Sequence, residues 1–207
     1  MPKVIADGEE VVFQEGIPEN PSHVYELLMG AFAEQKRSVV KFWVDRVDVL
    51  ATGKFPDSFD LIEAESLTHD EISLRLSIEF INQMSTLEGS ISAYSVNILT
   101  TPWSEVFKQM DAFIQKIQPF ADLVDHITPY AHSYSPPWAS KIEEIAKEQA
   151  ESLASLLSGF ENSDPAGLSE ELDSRFLPLF RKTIFLFSSE IIPFLKEEKS
   201  NATTSNS

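Results

Sequence analysis

Hydrophobic and polar positions alternate in short runs near the start of this chain and then recur at three-and-four spacing along the rest. Between Lys3 and Phe13, two β-rich runs, KVIA and EEVVF, flank Asp7-Gly8, a dipeptide suited to positive φ, and this predicts a hairpin. Asn20-Pro21 supplies an N-cap and a proline for the first helical position, and Val24, Leu27, Leu28, Ala31 and Phe32 fall at helical steps, so a helix is expected from about Pro21 to Gln35. The run SVVKFWVDRVDVL alternates, with Val40, Phe42 and Val44 on one face, and predicts a strand bent near Asp45-Arg46. After the turn-rich TGKFPDS, the residues Phe59 and Leu61 to Ala64 form one further strand. This N-terminal module, residues 1–66, therefore reads ββαββ.

From Thr68 the period changes. Thr68 and Glu71 have capping-box spacing, which marks a helix start. Residues 72–80 are ambiguous, because Ile72, Leu74, Leu76, Ile78 and Phe80 alternate as a strand would. Helix is preferred on account of the cap and of the helical steps that continue through Phe80, Ile81, Met84, Leu87, Ile91 and Tyr94. Thr101-Pro102 breaks this helix, and Pro102 opens another whose stripe is Val106, Phe107, Met110, Phe113, Ile114 and Ile117, with a kink expected at Pro119. TPYAHSYSPPW, with three prolines and no period, predicts a link near residues 128–137. Trp138 to Leu157 is the clearest helix, with Ile142, Ile145, Ala146, Gln149, Leu153 and Leu156 on one side. A last helix from near Leu168 repeats Leu172, Phe176, Leu179, Phe180, Ile184, Phe187 and Ile191, with Pro178 and Pro193 expected to bend or end it. Ser104-Glu105 and Ser169-Glu170 sit at matching places in the two pairs, which suggests a tandem helical hairpin. The polar end, residues 196–207, is expected to be a disordered tail. The fold class is α+β: the small ββαββ module followed by an all-α, up-down helical bundle of about four helices in two hairpins over residues 67–195.

Composition narrows the function classes. With 43% hydrophobic residues and 15 phenylalanines in 207 positions, the chain can bury a core. The 33 acidic residues outnumber 16 basic ones for a net charge of -17, and neither half holds a basic patch. Phosphate backbones and anionic membranes are bound through clustered Lys and Arg, so neither nucleic acid nor a membrane surface is an expected partner. The absence of cysteine excludes disulfides, thiolate metal sites and thiol nucleophiles. MPKVIADGEEVVF lacks the apolar stretch of a signal peptide, so a cytoplasmic location is expected. The most apolar segment, FLPLFRKTIFLF, contains Arg181 and Lys182 and is shorter than the roughly 20 apolar residues of a membrane span.

The ADGEEVVF hairpin, the VVKFWVDRVDV strand and the ESLTHDE helix start together resemble a group of uncharacterised bacterial proteins that join a small β-grasp-like module to a helical-hairpin domain. The resemblance covers about the first half of the chain and implies an architecture without an activity. Conjugation chemistry of the ubiquitin or sulfur-carrier kind needs a free C-terminal Gly-Gly, whereas more than a hundred residues follow the module and the chain ends Ser-Asn-Ser.

Among candidate chemistries, a di-iron bundle needs Glu-x-x-His pairs, and none of His23, His69, His126 or His132 has a Glu three positions earlier. Asp122 and His126 share a helical face, with His132 nearby, and form a partial set of metal ligands; the competing reading is a surface ion pair, because no fourth ligand is evident. Gly-x-Ser-x-Gly, His-Glu-x-x-His and phosphate-binding glycine loops are missing, and the chain's seven glycines are not clustered, so no catalytic residue and no cofactor are assigned. Tyr130, Tyr134 and Trp138 surround Pro136-Pro137 and are the candidate partner-binding residues, unless they pack back onto the bundle. Asn201-Ala202-Thr203 matches a glycosylation sequon, which is read as chance because no secretory signal is expected. The expectation is a non-enzymatic protein-interaction or adaptor protein with an unidentified protein partner, and homodimerisation through the helical region is a further expectation. The alternatives are a metal-dependent or small-molecule enzyme around Asp122, His126 and His132, and a helical chaperone or secretion adaptor.

Overall fold

In the computed structural model, which describes residues 2–84 and 86–205, with side chains described through Lys199, the first turn forms as its residues dictate. Asp7 (φ 50°) and Gly8 (φ 85°) both adopt positive φ, the geometry that closes a two-residue hairpin between β1 (Lys3–Ala6) and β2 (Glu9–Glu10). Helix α1 (Pro21–Glu34) starts with Pro21 in its first turn, and Asn20 Oδ1 accepts from the Ser22 amide at 2.9 Å. Then follow β3 (Arg37–Val44), β4 (Val47–Asp48), the single turn α2 (Val49–Thr52) and β5 (Leu61–Thr68). The sheet order is β2-β1-β5-β3-β4, with β1 parallel to β5 and the other pairs antiparallel. Val24 and Leu28 of α1 join Val4, Phe42, Val44 and Ile62 of the sheet in one buried core.

A register shift in the pairing of β3 with β5 falls between Val39 and Lys41. It corrects the strand's expected facing: Val40 sits in the bulge, and Val39 instead packs against the core that holds Phe42 and Val44. One extra residue in a two-residue period exchanges the faces on its N-terminal side.

Both ends of β5 are held by aspartates in positive-φ turns. Asp45 (φ 49°) accepts from the Leu61 amide at 2.8 Å. Asp7 accepts from the Ser66 amide at 2.7 Å and the Ser66 hydroxyl at 2.6 Å, and pairs with Arg37 at 3.0 Å. Asp7→Ala removes three charge-assisted contacts, discounted for partial exposure, and should cost the sheet unit about 2 kcal/mol, whereas Asp7→Asn, which keeps the Oδ1 acceptor, should cost less than half of that. Hydrogen exchange at the Ser66 amide measures it, and an unchanged rate in the alanine variant refutes it.

Contacts divide the chain into residues 1–72 and 73–207, with the boundary inside α3 (His69–Met84). Residues 72–80 are helical, and the capping box forms: the Glu71 amide donates to Thr68 Oγ1 and the Thr68 amide to the Glu71 carboxylate, each at 3.2 Å. Beyond it come α4 (Leu87–Ile98), α5 (Trp103–Tyr134), α6 (Ala139–Glu161), α7 (Pro165–Glu171), α8 (Leu177–Leu186) and α9 (Ile192–Ser205). The helical region thus has α4, α5, α6 and the α7-to-α9 rod packed around one apolar core that includes Phe113, Phe120, Ile142, Leu156, Phe176, Phe180 and Phe187.

Several expected boundaries move. The link near residues 128–137 shrinks to residues 135–138, because α5 runs through Pro119 and Pro129 to Tyr134 and ends where Ser135 turns left-handed (φ 47°) and its amide donates to Ala131. The prolines are tolerated because the apolar stripe on either side of them, Ile117, Phe120, Leu123, Ile127 and Tyr130, is buried and holds the phase. Ser104-Glu105 opens α5, but Ser169 lies within α7 against Ser95, at 3.1 Å between hydroxyls, so the two Ser-Glu pairs occupy different places. Residues 196–205, expected as tail, continue α9; Lys196 to Lys199 are good helix formers, and Asn206 and Ser207 lie outside the described residues.

Pro178 and Pro193 neither end nor break the last rod. Each follows a π turn, Leu172–Phe176 and Phe187–Ile191, in which the residue just before the proline donates five residues back: Leu177 to Leu172 and Ile192 to Phe187. A proline ring clashes with the carbonyl four residues earlier and provides no amide for it, and a widened turn relieves both. The apolar stripe survives, with Leu172, Phe176, Phe180, Phe187, Ile191 and Leu195 all fully buried.

Candidate interaction groove

The residues singled out from the sequence are dispersed by the fold. The His126 ring contacts the Asp122 backbone carbonyl at 2.6 Å and lies 5.8 Å from the Phe80 ring, while His132 faces Glu143 of α6 at 3.5 Å. Among the described residues no group of three His, Asp or Glu side chains is placed to hold a metal, so Asp122, His126 and His132 are not brought together. Tyr130 and Trp138 are buried, at 6% and 1% exposure, and stack on each other at 5.9 Å with Tyr134 against Tyr130 and Phe194 against Trp138. They close the α5–α6 corner from inside the core, so the exposure assumed for a partner-binding role is not present.

A different surface emerges between α5 and α6. Their four-residue connection makes them antiparallel neighbours, and each carries an apolar stripe wider than one seam requires. Phe113, Ile117, Leu156 and Phe160 fill the seam, while Ile114 and Leu157 beside them stay 43% and 53% exposed. Together with Ala121 and Leu153 they line a groove of about 280 Å³ whose one polar lining side chain is Gln118. Helical spacing puts Asp111 three residues before Ile114, Asp125 four after Ala121 and Glu161 four after Leu157, so carboxylates border both helices. All three are exposed, and none has an ion-pair partner among the described residues. The sequence showed the two stripes; it did not show which of their residues the other helices leave uncovered.

On the other side of α6 the charges are satisfied internally. The Glu171 carboxylate is buried and accepts from Ser152 at 2.6 Å and Ser155 at 3.0 Å, with Arg175 at 3.5 Å. Lys182 of α8 reaches Glu144 at 3.1 Å and Glu148 at 3.0 Å. Its hydrogen bond holds the Glu144 carboxyl below the ordinary value. Partial burial works against the Lys182 charge, yet the two carboxylates outweigh it and raise the ammonium above its usual value. A carboxyl lowered on folding contributes its stabilisation above the unfolded value and loses it as pH falls through the folded one, so this tie between α6 and α8 releases in acid; at an exposed site its effect is small and salt-screened.

Fold and site define an α+β protein with a small mixed sheet followed by a helical region that bears an apolar, acid-rimmed groove. Among the described residues no helix is long and apolar enough to cross a membrane. Compared with models of known families, with curated proteins and with solved structures, the chain matches none.

Proposed function

We propose that this chain is a non-enzymatic interaction or adaptor protein whose α5–α6 groove receives a basic amphipathic helix from a protein partner. The observation that supports this reading is the pairing of exposed Ile114 and Leu157 at an apolar groove with three unpaired carboxylates on its borders. A helix laid in such a groove covers the apolar strip with residues at three-and-four spacing and points flanking Lys or Arg at the rim. From Phe113 to Ala121 the strip is about 12 Å long at 1.5 Å per residue, which suits a helix of two to three turns. A second copy of this chain is the weaker occupant, because it also carries a net charge of -17 and like charges across an interface disfavour it.

A designed Leu/Lys amphipathic peptide of about four helical turns, compared with a Leu/Glu peptide of the same pattern, tests this by calorimetry near physiological salt. The Leu/Lys peptide should bind one to one. Ile114→Asp or Leu157→Asp should weaken it at least about tenfold, or about 1.4 kcal/mol, although each change adds negative charge and would strengthen an unspecific attraction. Equal binding of the two peptides, or tighter binding by the aspartate variants, rules the groove out. A dimer in light scattering that dissociates on Ile114→Asp assigns the groove to a second copy instead.

A further inference from the structure

The row of α5 residues beside the groove alternates between polar and apolar. Asp111, Ile114, Gln118, Ala121 and Asp125 follow one another at steps of three and four, so they lie in line along the helix. Ile114 and Ala121 line the groove, Gln118 is the polar side chain between them, and the aspartates stand at the two ends. Gln118 is the midpoint: seven residues, or about 10 Å at 1.5 Å per residue, separate it from each aspartate.

Gln118 is exposed and its side chain makes no hydrogen bond among the described residues, so in the free protein water satisfies its amide. A helix laid along the groove removes that water. Under a purely apolar stripe the amide loses hydrogen bonds that nothing replaces, whereas a side chain that both donates and accepts restores them. One polar residue in an otherwise apolar helix seam fixes register in this way, because each shifted register leaves polar groups unpaired on both sides. Asp111 and Asp125 bias the same choice from the ends, since each is exposed without an ion-pair partner among the described residues.

Resting on the groove reading above, we infer that the partner helix is recognised by a spaced pattern: Lys or Arg at two positions fourteen apart, and Asn or Gln midway on its apolar face. Seven residues are close to two full turns, so the three side chains share one face of the partner as their counterparts share one face of α5. Because the row is symmetric about Gln118, the same spacing serves a partner running in either direction along α5. Gln118 is then the residue that sets specificity, and Ile114 and Leu157 supply the apolar contact.

Leu/Lys peptides of about four turns test it, each with Lys at both ends of one line and a single Asn on the apolar stripe. The Asn stands midway in one peptide and is displaced by three or by four positions in two others, so composition and charge are identical. Calorimetry near physiological salt should show the midway peptide binding the parent protein at least about tenfold tighter than either displaced one. In Gln118→Leu this advantage should vanish, and a peptide with Leu in place of Asn should become the tightest ligand. Gln118 is exposed, so this variant should melt as the parent does, and Gln115→Leu, an exposed change off the row, should keep the parent's ranking. Equal affinity of the three Asn peptides means that the Gln118 amide turns to solvent, and overturns the inference. An advantage that persists in Gln118→Leu overturns it as well. Either result leaves the groove reading standing provided that Ile114→Asp still weakens every peptide, whereas failure of all the peptides to bind overturns both.

Discussion

Replacing Phe120 by alanine should lower the stability of the helical unit by about 4 kcal/mol. Phe120 is 1% exposed and meets Phe176 edge-on at 5.5 Å and Phe180 at 5.4 Å. The cost therefore combines the lost burial of a ring, the cavity it leaves and two aromatic pairs worth about 0.5–1.5 kcal/mol each. Collapse of the cavity is hindered because one partner, Phe176, is in a π turn whose register is set by Pro178, and because the Phe120 carbonyl is tied to Gln149 at 3.0 Å. Urea unfolding followed by helical circular dichroism measures the change. Phe120→Leu should recover at least half of the loss, and a loss below about 1 kcal/mol for the alanine variant would contradict the packing described.

Glu171→Ala should cost about 3 kcal/mol. Its carboxylate is the shared acceptor of Ser152 and Ser155, and Ser152 is 1% exposed. Removing the acceptor leaves a buried hydroxyl unpaired and frees Arg175 from one of its two carboxylates, the other being Glu151 at 3.6 Å. Glu171→Gln keeps an acceptor oxygen and should cost about half as much. A double-mutant cycle with Ser152→Ala isolates the hydrogen bond: a coupling of about 1.5–3 kcal/mol is expected for a charged acceptor, and additivity within about 0.3 kcal/mol would mean that the hydroxyl contributes nothing through Glu171. This site also separates stability from binding, since Glu171 is not among the residues lining the groove, and its variants should leave peptide affinity unchanged while the fold persists.

The candidate site was half visible in the chain. Phe113, Ile114 and Ile117 stand in one apolar stripe and Leu153 and Leu156 in another, so periodicity identified the helices and their sticky sides. Leu157 was invisible as a docking residue, because its exposure depends on where α7 and α8 cover α6. The candidate metal ligands Asp122, His126 and His132 are dispersed for a related reason. Spacing placed Asp122 and His126 on one face correctly, but the ring is engaged with a backbone carbonyl, and His132 is turned to Glu143, a residue on the next helix that no local pattern points to. Tyr130 and Trp138 looked accessible because they flank prolines, and they are buried because the corner between α5 and α6 folds over them.

What the sequence alone determined lies within a few residues of itself: the Asp7-Gly8 hairpin turn, the Asn20-Pro21 start of α1, the capping box at Thr68 and Glu71, the long stripe of α6 and the α+β succession of a small sheet module and a helical region. Turn chemistry, caps and periodicity are local, and they act before any tertiary contact exists. Only the tertiary structure decided the insertion of β5 between β1 and β3, the bulge at Val40, the passage of α5 through two prolines, the π turns that absorb Pro178 and Pro193, and the residues left uncovered along α5 and α6. Each of these is a compromise between a local preference and the burial of a continuous apolar face, and the burial, summed over many side chains, outweighs the few kcal/mol that a single proline or an extra strand residue can impose.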